Sequence, residues 1–240
     1  MWTVRARPPS GHAIRRWLGA VPEPAKLVPL FQKHGDYQAF ERVLADALLR
    51  LPMRLLAFCL MPNHWHLVCW PENDGDLSEF MRWLSVTHSM RWHAHYHTAG
   101  TRHIYQNRFK SFPVEGDDHL FTVVRYVERN ALRANLCLRA EEWRWGSLWR
   151  RQGGVALPLI PLHDWPVPIP ADWVDHVNGV QTESELEAVR RAVARNSPFG
   201  SPAWTALTAE KLGLQSTLRP RGRQRKEPDH HDDEPTMPLF

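Results

Sequence analysis

Two histidines one residue apart, His64 and His66, are the side chains of this chain that are best placed to do chemistry. They lie in the apolar run 60–68, which is typical of a buried strand. Because successive side chains of a strand point to opposite faces, the two histidines share one face and Trp65 packs on the other. Two neighbouring imidazoles are able to hold a divalent metal ion. The same pattern also fits two hydrogen-bonded core histidines.

A second group of reactive side chains lies in the segment 125–134, which has helical spacing. At 3.6 residues per turn, Tyr126, Asn130 and Arg133 fall on one stripe beside an apolar one. A phenol, an amide and a guanidinium on one face suit a nucleophile, a metal or phosphate ligand and a phosphate clamp. A core tyrosine beside solvated arginines would produce the same spacing.

Four stretches of the chain resemble the REP-associated tyrosine transposases, which are IS200-like, single-tyrosine HUH transposases. These stretches are 53–60 with the histidine pair that follows, 105–111, 126–134, and 197–201 together with 216–223. They occur in the family's order between about residues 36 and 226.

The resemblance implies a metal-dependent DNA strand transferase. Such an enzyme cleaves and rejoins single-stranded or hairpin-forming REP-type DNA through a 5′-phosphotyrosine intermediate. Tyr126 would be the nucleophile, and His64, His66 and Asn130 would hold Mg²⁺ or Mn²⁺. The expected DNA contacts are basic side chains: Arg108, Lys110, Arg129, Arg133, Arg219, Arg221 and Arg223.

Composition agrees with a DNA-binding protein without a membrane segment. The chain has 240 residues, enough for one core and a smaller module, and 30 Lys+Arg against 26 Asp+Glu give a net charge of +4. Cys59, Cys69 and Cys137 have no metal-binding spacing and are expected to be reduced thiols. No apolar run is long enough to span a membrane. We expect a bacterial cytoplasmic protein, nucleoid-associated, as a monomer or homodimer.

Periodicity predicts a mixed order of helices and strands. An amphipathic helix is expected over 36–50 with Asp36 as its N-cap, then a strand hairpin formed by 55–60 and 64–70. A long helix over about 77–97, extended structure over 104–114 and a tyrosine-bearing helix from about His119 follow. This order favours an α+β fold. The resemblance implies a ferredoxin-like antiparallel sheet with helices on one face, and a C-terminal helical module is added to it.

The predicted organisation has five parts. They are a poorly matching N-terminal segment 1–35, the catalytic core 36–150, a connector 151–181 rich in proline and tryptophan, a helical hairpin with a basic arm at 182–226, and an acidic tail 227–240. Thr182 and Glu185 form a capping box that opens the hairpin. The hairpin fits either a helix-turn-helix DNA reader or a plain helical pair.

Two other function classes stay open on the sequence. Relatives usually begin with a strand that carries an aromatic-His-Val run and a following Asn-Arg-Gly, and neither occurs between Met1 and Gly35. Loss of that strand would leave a catalytically decayed, sequence-specific DNA-binding protein. A metal-dependent hydrolase would need more acidic ligands near the histidines and would have no use for Tyr126.

Overall fold

The computed structural model describes residues 29–100, 103–105 and 109–219, together with the backbone of residues 17–20. Its strands are β1 (Trp17–Ala20), β2 (Met53–Met61), β3 (His64–Pro71) and β4 (Lys110–Pro113). Its α-helices are α1 (His34–Arg50), α2 (Asp76–Tyr96), α3 (Asp118–Glu128), α4 (Asn130–Arg133), α5 (Ser147–Arg151), α6 (Trp173–Asn178), α7 (Glu183–Arg195), α8 (Pro202–Leu212) and α9 (Gln215–Leu218). None of the described helices has the length and apolar character that crossing a membrane requires.

The four strands form one antiparallel sheet in the order β2-β3-β1-β4. Together with α1 and α2, the chain order β1-α1-β2-β3-α2-β4 produces this arrangement. That is the ferredoxin-like pattern, in which the first strand lies inside the sheet. The predicted α+β fold with a ferredoxin-like antiparallel sheet is therefore confirmed, as is the hairpin of β2 and β3.

Strand β1 lies in the N-terminal segment, in which neither the aromatic-His-Val run nor the Asn-Arg-Gly of the relatives' first strand occurs. It lies between β3 and β4, with Trp17 opposite Cys69 and Ala20 opposite His66. Four residues are too few to show an alternating pattern, so this strand is defined only by its partners. The rest of the predicted segment up to residue 28 lies outside the described residues.

Helices cover both faces of the sheet. Helices α1 and α2 pack on one face, where Phe40 and Phe80 contact Trp65 and its neighbours on the sheet. Helices α3, α6 and α7 pack on the other, with Val68 among the buried side chains. The prediction of helices on one face therefore describes α1 and α2, and the tyrosine-bearing helix covers the second face.

The start of α1 differs from the prediction that Asp36 is its N-cap. The N-cap is Lys33, and Asp36 occupies the third helical position. The Asp36 carboxylate accepts hydrogen bonds from the backbone N–H groups of Gln32 and Lys33 at 2.8 and 3.0 Å. A carboxylate one turn inside the helix thus reaches back to the first donors, which is the acidic half of a capping box.

The C-terminal helices are docked on the open edge of β4. Phe199 donates its backbone N–H to the Pro113 carbonyl at 2.8 Å, and the Glu115 N–H donates to the Phe199 carbonyl at 2.9 Å. Val189 and Ala192 of α7 belong to the second core cluster. The capping box of Thr182 and Glu185 opens α7 as predicted. This module shares a core with the sheet.

Candidate active site

The two histidines lie on β3, inside the sheet. His66 is opposite Cys59 on β2 and Ala20 on β1, and His64 is opposite Met61 next to the hairpin turn. Their ring centroids are 4.8 Å apart and the rings are nearly perpendicular. His66 is buried and His64 is half-buried. The His66 side chain therefore lies in the interior of the protein, and the His64 side chain lies closer to solvent.

Burial makes His66 a neutral imidazole. It lowers the pKa of His66 well below its ordinary value, and the nearby His64 and Arg133 lower it further. A neutral ring offers a lone pair to a metal or a proton donor. The Nδ1 atom of His66 has no hydrogen-bond partner among the described residues. His64 is restrained by Asn63, whose Oδ1 lies 2.7 Å from His64 Nδ1.

Tyr126 on α3 faces the histidine strand. Its ring centroid is 5.9 Å from that of His66, and the guanidinium of Arg133 lies over the phenol ring at 4.4 Å. Val123 and Val127, on the neighbouring side of α3, are buried in the second core cluster. The structure thus brings the phenol and the cation of the helical segment together with a neutral imidazole on β3.

Asn130 lies just after a break in the tyrosine helix. The sequence predicted one helical segment, but α3 ends at Glu128 and α4 begins at Asn130. The Asn130 side-chain oxygen accepts a short hydrogen bond from Arg133, and its Nδ2 has no partner among the described residues. Because a guanidinium only donates, the amide oxygen has to face Arg133. That oxygen keeps a second lone pair.

Residues 177–181, which we call the strap, cover the arginines of the tyrosine helix. Arg125, Arg129 and Arg133 all donate to it. Arg125 donates to the carbonyls of Gly179 and Val180. Arg129 donates to the carbonyls of Val177 and Asn178. Arg133 donates to the side-chain oxygen of Gln181. Two expected DNA contacts, Arg129 and Arg133, are therefore already bound to oxygens of the protein itself.

Residues 25–130 match a family model described as "Transposase IS200 like". The predicted resemblance is confirmed. The IS200-like segment covers somewhat less than half of the chain and includes both histidines, Tyr126 and Asn130. The match supports a DNA transposase-like role.

No curated protein matches this chain. Among solved structures, a REP-associated tyrosine transposase bound to a REP hairpin is similar, with 17% sequence identity and a TM-score of 0.49. That alignment covers 63% of this chain and 89% of the other one.

Within the IS200-like segment, Lys110 lies in the same cross-strand row as His66. Ala20 on β1 is opposite both of them, and directly opposed residues of antiparallel strands point to the same face. Lys110 is therefore on the histidine face, two strands or about 10 Å away. The sheet thus places a lysine on the same face as the histidine pair.

The other basic residues lie at or beyond the ends of the described chain segments. Arg219 is exposed at the end of α9. Arg108, Arg221 and Arg223 lie outside the described residues, and so does the predicted tail 227–240.

Glu115, Asp117 and His119 cluster at the start of α3, and the side-chain atoms with which they could bind a metal ion lie within 4.8 Å of one another. The Glu115 carboxylate accepts the backbone N–H of Ser201 at 2.6 Å. A Cβ atom at Gly200 would lie 2.7 Å from that carboxylate, so only glycine permits the approach. This cluster holds the C-terminal module against β4.

Sequence reasoning missed Gln181, which is buried beside Arg133, and Glu128, which is buried on the far side of α3. Gln181 lies in a connector without any period, and Glu128 resembles one more charge in an arginine-rich helix. The role of each residue becomes visible only in its contacts with a segment that is distant in the sequence.

Proposed function

We propose that this protein cleaves and rejoins single-stranded, hairpin-forming DNA by transesterification, with Tyr126 as the nucleophile. The observation that supports this proposal most is the position of the Tyr126 ring, 5.9 Å from the neutral ring of His66 and 4.4 Å from the Arg133 guanidinium. A phosphodiester in contact with the phenol would also be within reach of the histidine face and of a cation.

The reaction exchanges one phosphate ester for another. The Tyr126 oxygen attacks phosphorus and forms the tyrosine–phosphate bond while the bond to the 3′-oxygen breaks. The phenol loses its proton, and the leaving 3′-oxygen takes one up. A 5′-phosphotyrosine and a free 3′-hydroxyl result, and attack by a 3′-hydroxyl reverses the reaction. The covalent bond keeps the ester energy, so rejoining needs no ATP.

The nitrogen and oxygen atoms at the site are suitable ligands for a divalent cation. His66 has a buried, unpartnered Nδ1, His64 lies beside it, and the Asn130 oxygen has a lone pair besides the one used by Arg133. We propose that these residues hold Mg²⁺ or Mn²⁺. When bound, such an ion supplies stabilisation of negative charge on the phosphate oxygens.

The basic residues have graded roles in this proposal. Arg133 and Lys110 face the histidine side and would meet the cleaved phosphate, and Arg129 would add positive potential from beneath the strap. Neighbouring phosphates would be held by Arg108, Arg219, Arg221 and Arg223. Charge-assisted contacts to phosphate position the strand without reading its sequence.

Covalent capture of DNA tests the proposal. The purified full chain is incubated with hairpin-forming oligonucleotides labelled at the 3′ end, with Mg²⁺ or Mn²⁺, and separated under denaturing conditions. We expect a labelled protein band whose cross-linked peptide contains Tyr126, and no band with Tyr126→Phe. An adduct at Tyr37, Tyr96 or Tyr105 would overturn the assignment. Hairpin binding without any adduct would favour a decayed DNA-binding protein.

A further inference from the structure

Two buried amides hold the Arg133 guanidinium. The Asn130 oxygen accepts from Nη2, and the Gln181 oxygen lies 3.4 Å from Nη1. Both amide side chains belong to residues that are 6% exposed. The contact to Gln181 is long for a hydrogen bond, so Asn130 is the tighter of the two holders. Between them the guanidinium lies over the Tyr126 ring.

The amides position Arg133 without neutralising it. No described carboxylate lies within 4.0 Å of Arg133, whereas Arg125 is paired with Glu185 at 3.6 Å and Arg150 with Glu41 at 2.6 Å. Amide oxygens carry only partial charge, and a guanidinium stays protonated even when partly buried. The full positive charge is therefore kept beside the phenol.

The same two amides are imperfectly satisfied. Asn130 Nδ2 and Gln181 Nε2 are both buried with no partner among the described residues. Buried polar groups are normally paired, so an unpaired donor needs an explanation beyond packing. Both nitrogens are unpaired because each amide turns its oxygen toward Arg133, which leaves its NH2 group without an acceptor. An apolar residue at position 181 would avoid that cost and would also release the guanidinium.

We propose that Gln181 is a positioning residue of the tyrosine site, which with Asn130 forms an amide cradle that holds the charged Arg133 over Tyr126. The proposal rests on the proposed function, since it takes Tyr126 as the nucleophile. It makes the strap, which lies outside the IS200-like segment, part of the catalytic machinery. Arg133 then acts from a fixed place at the tyrosine, and this preorganisation favours the charge that develops there.

Gln181→Met in the full chain tests the cradle, because methionine has a similar length and no acceptor oxygen. We expect adduct formation at saturating hairpin DNA to slow about tenfold, while the Kd for the same hairpin changes less than about twofold. The matched control is Gln152→Met, the same change at an exposed residue at the end of α5, and it should behave like the wild type. An unchanged rate, or a loss confined to Kd, would overturn the proposal.

Chemical rescue provides a readout that a merely structural role would not move. In Arg133→Ala, millimolar guanidinium ions should restore part of the rate of adduct formation, and NaCl at equal ionic strength should not. In the double variant with Gln181→Met, the rescue should weaken, since one of the two amide oxygens is missing. Equal rescue in both variants, or none in either, would count against the cradle.

A measurement without DNA separates this proposal from the proposed function. The same guanidinium concentrations should raise the Tm of Arg133→Ala and leave that of the double variant lower or unchanged. If the ions stabilise the single variant but no hairpin ever forms an adduct with the wild type, the cradle stands and the transposase reaction fails. If the wild type forms adducts and the ions stabilise neither variant, the cradle is wrong.

Discussion

His66 combines burial, a neutral ring and an unpartnered nitrogen at one position. We expect His66→Ala to slow adduct formation at saturating DNA by about 100-fold or more, because charge stabilisation in the transition state is removed. The Kd for the hairpin should change less than about threefold. Single-turnover assays measure both, with His163→Ala, an exposed histidine, as control. A variant that cleaves at the wild-type rate would remove His66 from the mechanism.

His88 provides a pH test of the other core cluster. Burial lowers the pKa of His88 to about 3, and Asp36 opposes the shift. In the unfolded chain a histidine titrates near 6.5. The unfolded state therefore binds the extra proton between pH 6.5 and 3, so the contribution to stability is complete above pH 6.5 and is lost as the pH falls.

We expect the free energy of unfolding to fall by about 1.4 kcal/mol per pH unit below pH 6.5 through this residue. His88→Gln keeps a polar side chain that does not titrate and should lack that part of the slope. Urea unfolding of both proteins at pH 7, 6 and 5 measures it. Parallel curves for the two proteins would contradict the assignment of the slope to His88.

At this scale the sequence predicts which residue types share a face, because strand alternation and helical spacing are local. His64 with His66, and Tyr126 with Asn130, were predictable in that way. The strap acceptors of Arg129 and Arg133 were not, since they lie 48 or 49 residues away along the chain. A side chain whose partner is distant in sequence resembles one that faces solvent.

The orientation of the tyrosine helix depends on a buried network on its far side. Glu128 accepts hydrogen bonds from the Ser147 hydroxyl at 2.6 Å and from the Trp173 indole at 2.8 Å. The Ser147 oxygen in turn accepts the backbone N–H of Phe58 on β2 at 3.0 Å. Burial raises the pKa of Glu128, and the two hydrogen bonds oppose that shift. The network ties α3 to the hairpin that carries the histidines.

We expect Glu128→Ala to lower the free energy of unfolding by about 3 kcal/mol, because two buried donors lose their acceptor. Glu128→Gln keeps one acceptor oxygen and should lose about half as much. Denaturant unfolding of both variants measures the difference. Glu187→Ala, at an exposed position of α7, should stay within about 0.5 kcal/mol of the wild type. A loss at Glu128 no larger than this control would mean that the network does not hold α3.

Among the elements, α2 was predictable because it is long enough to show its helical period. Strands β2 and β3 were predictable because they are apolar runs on either side of a turn. Strand β1 was not, since four residues pair only through backbone contacts with distant strands. The break between α3 and α4 at Arg129 was also missed. Neither glycine nor proline marks it in the sequence.

For the whole molecule, the C-terminal helices and the sheet are not independent. Val189 and Ala192 are buried in the second core cluster, and Phe199 pairs with the edge of β4. Removing the chain after residue 181 would expose this core and the sheet edge together. In a truncated protein, weaker DNA binding could therefore not be told apart from lower stability. Substitutions that remove charge in the full chain are the cleaner test of the basic arm.

Replacing Arg219, Arg221 and Arg223 together by glutamine tests the basic arm. We expect weaker hairpin binding and a log-log salt slope that falls by about 0.7 to 0.9 for each phosphate that the arm no longer neutralises. Titrations between 50 and 200 mM salt measure the slope. Arg82→Gln, on the exposed side of α2, should leave the slope unchanged. If the triple variant keeps the wild-type slope, the arm does not bind phosphates.

Strand β1 has both of its partners later in the chain, since Trp17 pairs with Cys69 and with Pro113. During translation the β2–β3 hairpin is able to form among near neighbours, but β1 cannot be enclosed until residue 113 has left the ribosome. Non-local pairing of this kind is slow and leaves strand edges open meanwhile. A nascent chain that stalls before residue 113 would carry both histidines on an unfinished sheet and would lack Tyr126.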